Sequence, residues 1–158
     1  MKKLILVPLK RNDRVEDLMP YVEEVVRPGM KAVFMVPYPV DGFRWSREEI
    51  GRKAIEEAKM LANYYTWDTN LRKASERIAP VVKAFSAKGI EVAVDLYAGS
   101  MRRALRDYAV KGDVHLIVTR ASVGNWLERL LGTVASAFRS LPRPSFSPVM
   151  LINPRTLA

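Results

Sequence analysis

Hydrophobic positions along this chain fall into short unbroken runs, separated by longer stretches in which they recur at helical spacing. Leu4-Ile5-Leu6-Val7 is the first run, and Pro8 ends it. A run with no polar alternation is what a strand covered on both faces requires. After a polar loop, Lys10 to Asp13, the positions Val15, Leu18, Met19, Val22, Val25 and Val26 recur at helical spacing. Pro20 sits inside that pattern and predicts a bend or a late helix start, and Pro28-Gly29 predicts its stop. Ala32 to Val36 is a second apolar strand, closed by Pro37 and Pro39.

A helical pattern begins at Ser46, with Glu48 and Glu49 in its first turn, where carboxylates suit the helix dipole. Ile50, Ala54, Ala58, Leu61 and Tyr65 share one face, and Leu71, Ala74, Ile78, Val82 and Phe85 continue the period. Unbroken from Ile50 to Phe85, that helix would run about 54 Å at 1.5 Å per residue. A domain of this length has a radius of gyration near ~15 Å, so a break is expected. Asn63 to Asn70, "NYYTWDTN", is the weakest stretch, because it is full of poor helix formers. Pro80 is a second expected kink. Lys88-Gly89 closes the region. Ile90 to Leu96 predicts a third strand, Met101 to Val110 a short helix ended by Lys111-Gly112, and Val114 to Val118 a fourth strand. A loop, a helix to about Leu141, a Pro-rich link and a last strand, Val149 to Ile152, complete the chain. Strands alternating with helices predict an α/β fold with a parallel sheet and right-handed crossovers. The 158 residues are read as one domain, 1–158, with an extended helical segment at about 40–70.

Composition narrows the chemistry. There is no cysteine, hence no disulfide and no thiolate chemistry, which agrees with a cytoplasmic location. The basic, apolar start is too short for a signal peptide's apolar region, and no small-residue cleavage site follows. No apolar run approaches the roughly 20 residues needed to span a bilayer. The formal net charge is +9, a field that attracts phosphates, nucleic acid or anionic surfaces without choosing among them. One histidine and no cysteine argue against a transition-metal site. That histidine, His115, lies among apolar neighbours and reads as a packed core residue. Asp95 and Asp107 read as solvated or paired. No Ser-His-Asp set or acidic pair at motif spacing is present, so no catalytic residue is assigned.

In an open parallel sheet, ligands bind beyond the carboxyl ends of the strands. Those ends carry Pro8, Lys10, Arg11 and Asn12 after the first strand, and Val36 and Tyr38 at the second. They carry Gly99 and Ser100, with Arg102 and Arg103 one turn on, after the third. After the fourth come Val118, Thr119, Arg120, Ser122 and Gly124. Cations, hydroxyls and helix amides on one edge suit an anion.

The order of elements and "GDVHLIVTRASVGNWLERLLGTVASAFRSLPRPSFSPVMLINP" resemble the universal stress protein family. The resemblance covers the whole chain. It is strongest from Gly89 onward and at "LILVPL", and weaker between Pro37 and about Leu71. It implies a five-stranded parallel sheet in order 3-2-1-4-5 with helices on both faces, related to the adenine nucleotide alpha hydrolases. The family's nucleotide-binding branch carries G-x2-G-x9-G-[S/T] after strand four. Here Gly132-Thr133 keeps the last pair, and Val134 follows it, whereas the earlier glycine positions fall on Ser122 and Thr119. Gly124 is displaced by two. A Cβ at Thr119 and Ser122 narrows the backbone's approach to phosphate. The branch also has an acidic residue at the end of strand one, where Lys10 stands here. The resemblance therefore implies a non-catalytic stress-response or regulatory protein with an altered or lost ATP site. Two alternatives stay open: ATP or AMP binding rescued by Gly124 and the basic groups, and a basic adaptor docking on nucleic acid or a membrane protein. Thr133 has a second reading as a helix cap.

Trp45, Tyr64, Tyr65 and Trp67 are expected to join the core, to fold over the site as a lid, or to cover a partner surface. Arg129, Arg139, Arg143 and Arg155 form a basic stripe without any nucleic-acid motif, so specific nucleic-acid binding is not expected. Val149, Met150, Leu151 and Ile152 read as an apolar edge strand. Such an edge invites pairing with another chain, and the resemblance implies a homodimer through it.

Overall fold

The computed structural model describes residues 2–40, 66–111, 114–120 and 149–152. Within them the chain runs β1 (Leu4–Pro8), α1 (Val15–Val25), β2 (Lys31–Tyr38), α2 (Trp67–Ser86), β3 (Glu91–Ala98), α3 (Met101–Lys111), β4 (Val114–Arg120) and β5 (Val149–Ile152). The five strands form one sheet in the order β3-β2-β1-β4-β5. Every pairing is parallel. The expected fold class and strand order are both found.

Each strand's alternation sends its side chains to two separate cores. Ile5, Val7 and Leu9 meet Val15, Leu18 and Val22 of α1 and Ala74, Ile78, Val81 and Phe85 of α2 on one face. Phe34 of β2 and Phe85 of α2 bring their rings to 6.5 Å, tilted by 48°. Leu6, Val33, Met35 and Ile117 meet Tyr97 and Leu105 on the face that carries α3. Burying one such side chain contributes about 1.5–3 kcal/mol. Among the described residues, the α1–α2 face holds most of the buried ones.

Helix α1 starts at Val15, ahead of Pro20, so the late start does not occur. Pro20 and Glu16 are both exposed, and water can reach the carbonyl that Pro20 leaves without a donor. Pro80 and Glu76 repeat this arrangement in α2. Helix α2 begins inside the weak "NYYTWDTN" stretch, where the Thr66 side chain accepts the Thr69 N–H and caps the first turn. The helical pattern of 46–65 lies outside the described residues, as does the first part of the expected break at Asn63 to Asn70. Gly89 takes φ +70° just after α2, a conformation that favours glycine. Its carbonyl accepts the Gly29 N–H, so the turns that follow α1 and α2 are tied together.

Two expectations are corrected. Strand β2 continues through Pro37 to Tyr38 instead of stopping before it. Met35 turns its carbonyl to Leu9, just past the end of β1, so Pro37, two residues on, presents its missing donor to the same side. Pairing with β1 ends at Met35, and Pro37 pairs with Tyr97 of β3 on its other side, so no ladder bond is lost. His115 is exposed and does not pack in the core. Between Leu4 and Ile5 the β1–β4 register steps from Val114 to Leu116, which leaves His115 as the extra residue of a bulge.

Candidate functional site

Strand order reverses between β1 and β4, and open α/β sheets bind ligands in a crevice at the carboxyl edge of such a switch point. The loop leaving β1 folds over one side of it around a buried carboxylate. Asp13 is 5% exposed. Its Oδ2 accepts the Lys10 N–H at 2.9 Å, and its own N–H donates to the Lys10 carbonyl. Arg120, the last residue of β4, places Nη1 3.6 Å from Asp13 Oδ1. Arg77 of α2 donates to the Asp13 carbonyl. Asp13 therefore joins the end of β1, the end of β4 and α2 at one point. The Arg120 guanidinium at the end of β4 thus faces a buried carboxylate of the same chain.

Beside Arg120, the Thr119 hydroxyl is buried with no hydrogen-bond partner among the described residues. Alternation along β4 puts Thr119 on the face of Ile117, toward α3. A buried hydroxyl without a partner costs about 1–3 kcal/mol, so this atom calls for an explanation.

The β2 and β3 ends are pinned to the same edge. Arg11 Nη1 donates to the Pro39 carbonyl at 2.9 Å. Asn70, fully buried, accepts the Val40 N–H at 2.8 Å and donates to the Thr66 carbonyl at 2.9 Å. Tyr97 of β3 reaches past β2 and donates its hydroxyl to the Leu9 carbonyl at 2.7 Å. Burial, with Asp13 nearby, pushes the Tyr97 phenol up to about 12, so it stays a donor at neutral pH.

Among the expected site residues, Pro8 and Lys10 stand at the β1 end of the crevice and Thr119 and Arg120 at its β4 end. Val36 and Val118 are fully buried in the α1–α2 core, so only their backbones are open to a ligand. Gly99, with φ +73°, and Ser100 follow β3. They share the carboxyl edge, but β3 and β4 are three strand spacings apart, roughly 14 Å. Ser122, Gly124, Gly132, Thr133 and Val134 lie outside the described residues, as do Trp45, Tyr64, Tyr65 and the basic stripe from Arg129 to Arg155. Trp67 is 45% exposed and stacks on Tyr38 at 5.4 Å, at the rim of the sheet. Val149–Ile152 form β5, paired with β4 and last in the sheet order. Asp95 is paired through Tyr108, and Asp107 is exposed.

Asp13, Arg77, Tyr97 and Asn70 were not picked out in the sequence. The one signal for Asp13 was an acidic residue within three of Lys10 in a tight polar loop, a spacing that suits a side chain bonding back to the backbone. Among the described residues no cluster of His, Cys, Asp and Glu suits a metal ion, and no helix is long and apolar enough to cross a membrane.

No protein-family model matches the chain, and no curated protein matches it in sequence. Solved structures do match over nearly its whole length. The universal stress protein UspA from Lactobacillus plantarum superposes with a TM-score of 0.54 at 16% identity, covering 96% of this chain and 97% of that one. The hypothetical protein MJ0577, whose biochemical function was assigned from its structure, gives 0.52 at 15% identity, covering 97% and 96%. The hypothetical protein PH0823 gives 0.51 at 19%, covering 97% of each chain. These likenesses show the fold: this chain folds as a universal stress protein does.

Proposed function

We propose that the chain is a universal stress protein-like regulatory protein of one domain, 1–158, that catalyses no reaction and whose ATP site is altered or lost. The observation that carries this reading is the Asp13–Arg120 contact. At the switch point, where the fold presents its ligand, the cation of β4 already faces a buried carboxylate. A phosphate placed there would have to displace that carboxylate or approach it against like charge. The residues support the same reading from a second side. Thr119 places a Cβ where the nucleotide-binding pattern has glycine, and Lys10 stands where that pattern has an acid. Pairing of β5 with a second copy makes the protein a homodimer, and the cytoplasm is its compartment.

One observation favours the alternative of an adenine nucleotide ligand. The Thr119 hydroxyl is buried at the end of β4 without a partner among the described residues, and a bound ligand would supply one.

Titration calorimetry with Mg-ATP separates the two. The native chain should give no saturable heat. The combined variant Lys10→Asp, Asp13→Asn, Thr119→Gly, Ser122→Gly should bind if those residues, with the Asp13–Arg120 contact, are the obstruction. Saturable heat from the native chain would overturn the proposal, and a folded but silent variant would overturn its explanation.

A further inference from the structure

On the opposite side of the α3 face from the switch point, α3 packs loosely over β3. Leu105 is its one buried residue. Beneath the helix lies a cavity of about 660 Å³ between α3 and the β2–β3 half of the sheet. That volume is in the range of small-molecule sites, about 300–1,000 Å³.

The walls divide by chemistry. Val33, Met35, Ala93 and Ala104 supply an apolar floor and roof. Asp95 stands on the same strand face as Ala93 and Tyr97, half-buried. Its Oδ1 accepts the Leu96 N–H at 2.9 Å and its Oδ2 the Tyr108 hydroxyl at 2.5 Å. An ionised carboxylate offers about four acceptor positions, so two are left for a donor in the cavity. Burial, then Asp95 itself, raises the Tyr108 phenol well above its ordinary range, which keeps its proton on this bond.

The helix wall carries Arg103, Asp107 and Lys111, four residues apart and hence in one row. Because α3 runs back from the end of β3, Arg103 stands near the Tyr97–Ala98 end, and Asp107 and Tyr108 lie one turn deeper. Lys31, at the far end, is bound to Glu91 at 2.8 Å. Asp107 and Asp95 repel an anion from the middle of the cavity, whereas Arg103 attracts one at its mouth.

We propose that this cavity is a second binding site, separate from the switch point, for a small organic acid. The ligand's apolar body lies on Met35 and Ala93, an N–H or O–H group donates to Asp95, and its anionic group pairs with Arg103.

The probe is 8-anilinonaphthalene-1-sulfonate, which joins an aromatic body, one N–H donor and one sulfonate. Fluorescence titration of the full chain should show one saturable, blue-shifted site. Arg103→Glu, at an exposed position, should weaken it at least tenfold with the far-UV spectrum unchanged. The uncharged analogue N-phenyl-1-naphthylamine should bind native chain and Arg103→Glu alike. Ala93→Phe, which fills the cavity, should abolish binding of both dyes. The proposal fails if no saturable site appears, or if Arg103→Glu binds the sulfonate as tightly as the native chain does. Arg103→Glu decides the matter even if Ala93→Phe does not fold.

Discussion

Replacing Asp13 by alanine tests the best-defined feature of the crevice. The Asp13 side chain is 6% exposed. Its bond from the Lys10 N–H, at 2.9 Å, has a charged acceptor, and such bonds contribute about 1.5–3 kcal/mol. The Arg120 contact is longer, 3.6 Å, and the Arg120 side chain is 29% exposed. Solvent screens a pair of that kind to about 0.5 kcal/mol. The bonds made by the Asp13 backbone, to Lys10 and from Arg77, survive truncation. The loss should therefore be about 2–3 kcal/mol, mostly from the orphaned Lys10 N–H. For a chain near this length each kcal/mol moves the melting midpoint by about 2–4 °C, so a fall of about 5–10 °C is expected. Asp13→Asn keeps an oxygen for the Lys10 N–H and should lose about 1 kcal/mol. Urea denaturation of native, alanine and asparagine forms measures all three. An alanine variant within 0.5 kcal/mol of native, or an asparagine variant as damaged as alanine, would refute this account of the loop.

Three further outcomes follow from other parts of the molecule. Thr119→Val removes a buried hydroxyl that has no partner while keeping the shape, so urea denaturation should show unchanged or slightly higher stability, by up to about 1 kcal/mol; a loss above that would reveal a partner for the hydroxyl. The Lys2 ammonium, and then that of Lys31, hold Glu91 at about 2, below its ordinary 4.5. A carboxylate lowered in this way contributes stability that is fully present above about 4.5 and is lost as pH falls toward 2. A carbon-detected NMR titration should find Glu91 ionised at pH 3.5, and a midpoint at the ordinary value would contradict the pairing. Leu151→Lys puts a charge in the middle of β5, so sedimentation should report monomer; a dimer that persists would place the interface elsewhere.

Strands read well from sequence where an apolar run was uninterrupted, as at Leu4–Val7, almost wholly buried, and at the half-buried last strand Val149–Ile152. Errors came where pairing geometry overrode a local signal. Pro37 reads as a stop, yet it is harmless because its missing donor faces the side where β1 has ended. His115 reads as core, yet a one-residue register step turns it outward. The start of α2 could be confined only to an eight-residue stretch of weak helix formers, because Thr66 competes there with other capping residues. The site was legible as an edge and as a set of cations. Its internal anion was not. Lys10 reads as a simple exchange of acid for base, whereas the loop brings Asp13 back onto that same residue and onto Arg120. Only the folded loop makes that connection, since Asp13 and Arg120 lie far apart in sequence. Tyr97 likewise reads as an ordinary strand aromatic until strand order lets its hydroxyl reach Leu9.

The central claim is that a universal stress protein scaffold carries a switch point whose anion position is answered from within the chain. Native mass spectrometry of the protein, purified without added nucleotide, tests it most directly. The account predicts the mass of the polypeptide alone, or of its dimer, with no adenine nucleotide released on denaturation. One equivalent of ATP, ADP or AMP per chain would contradict it.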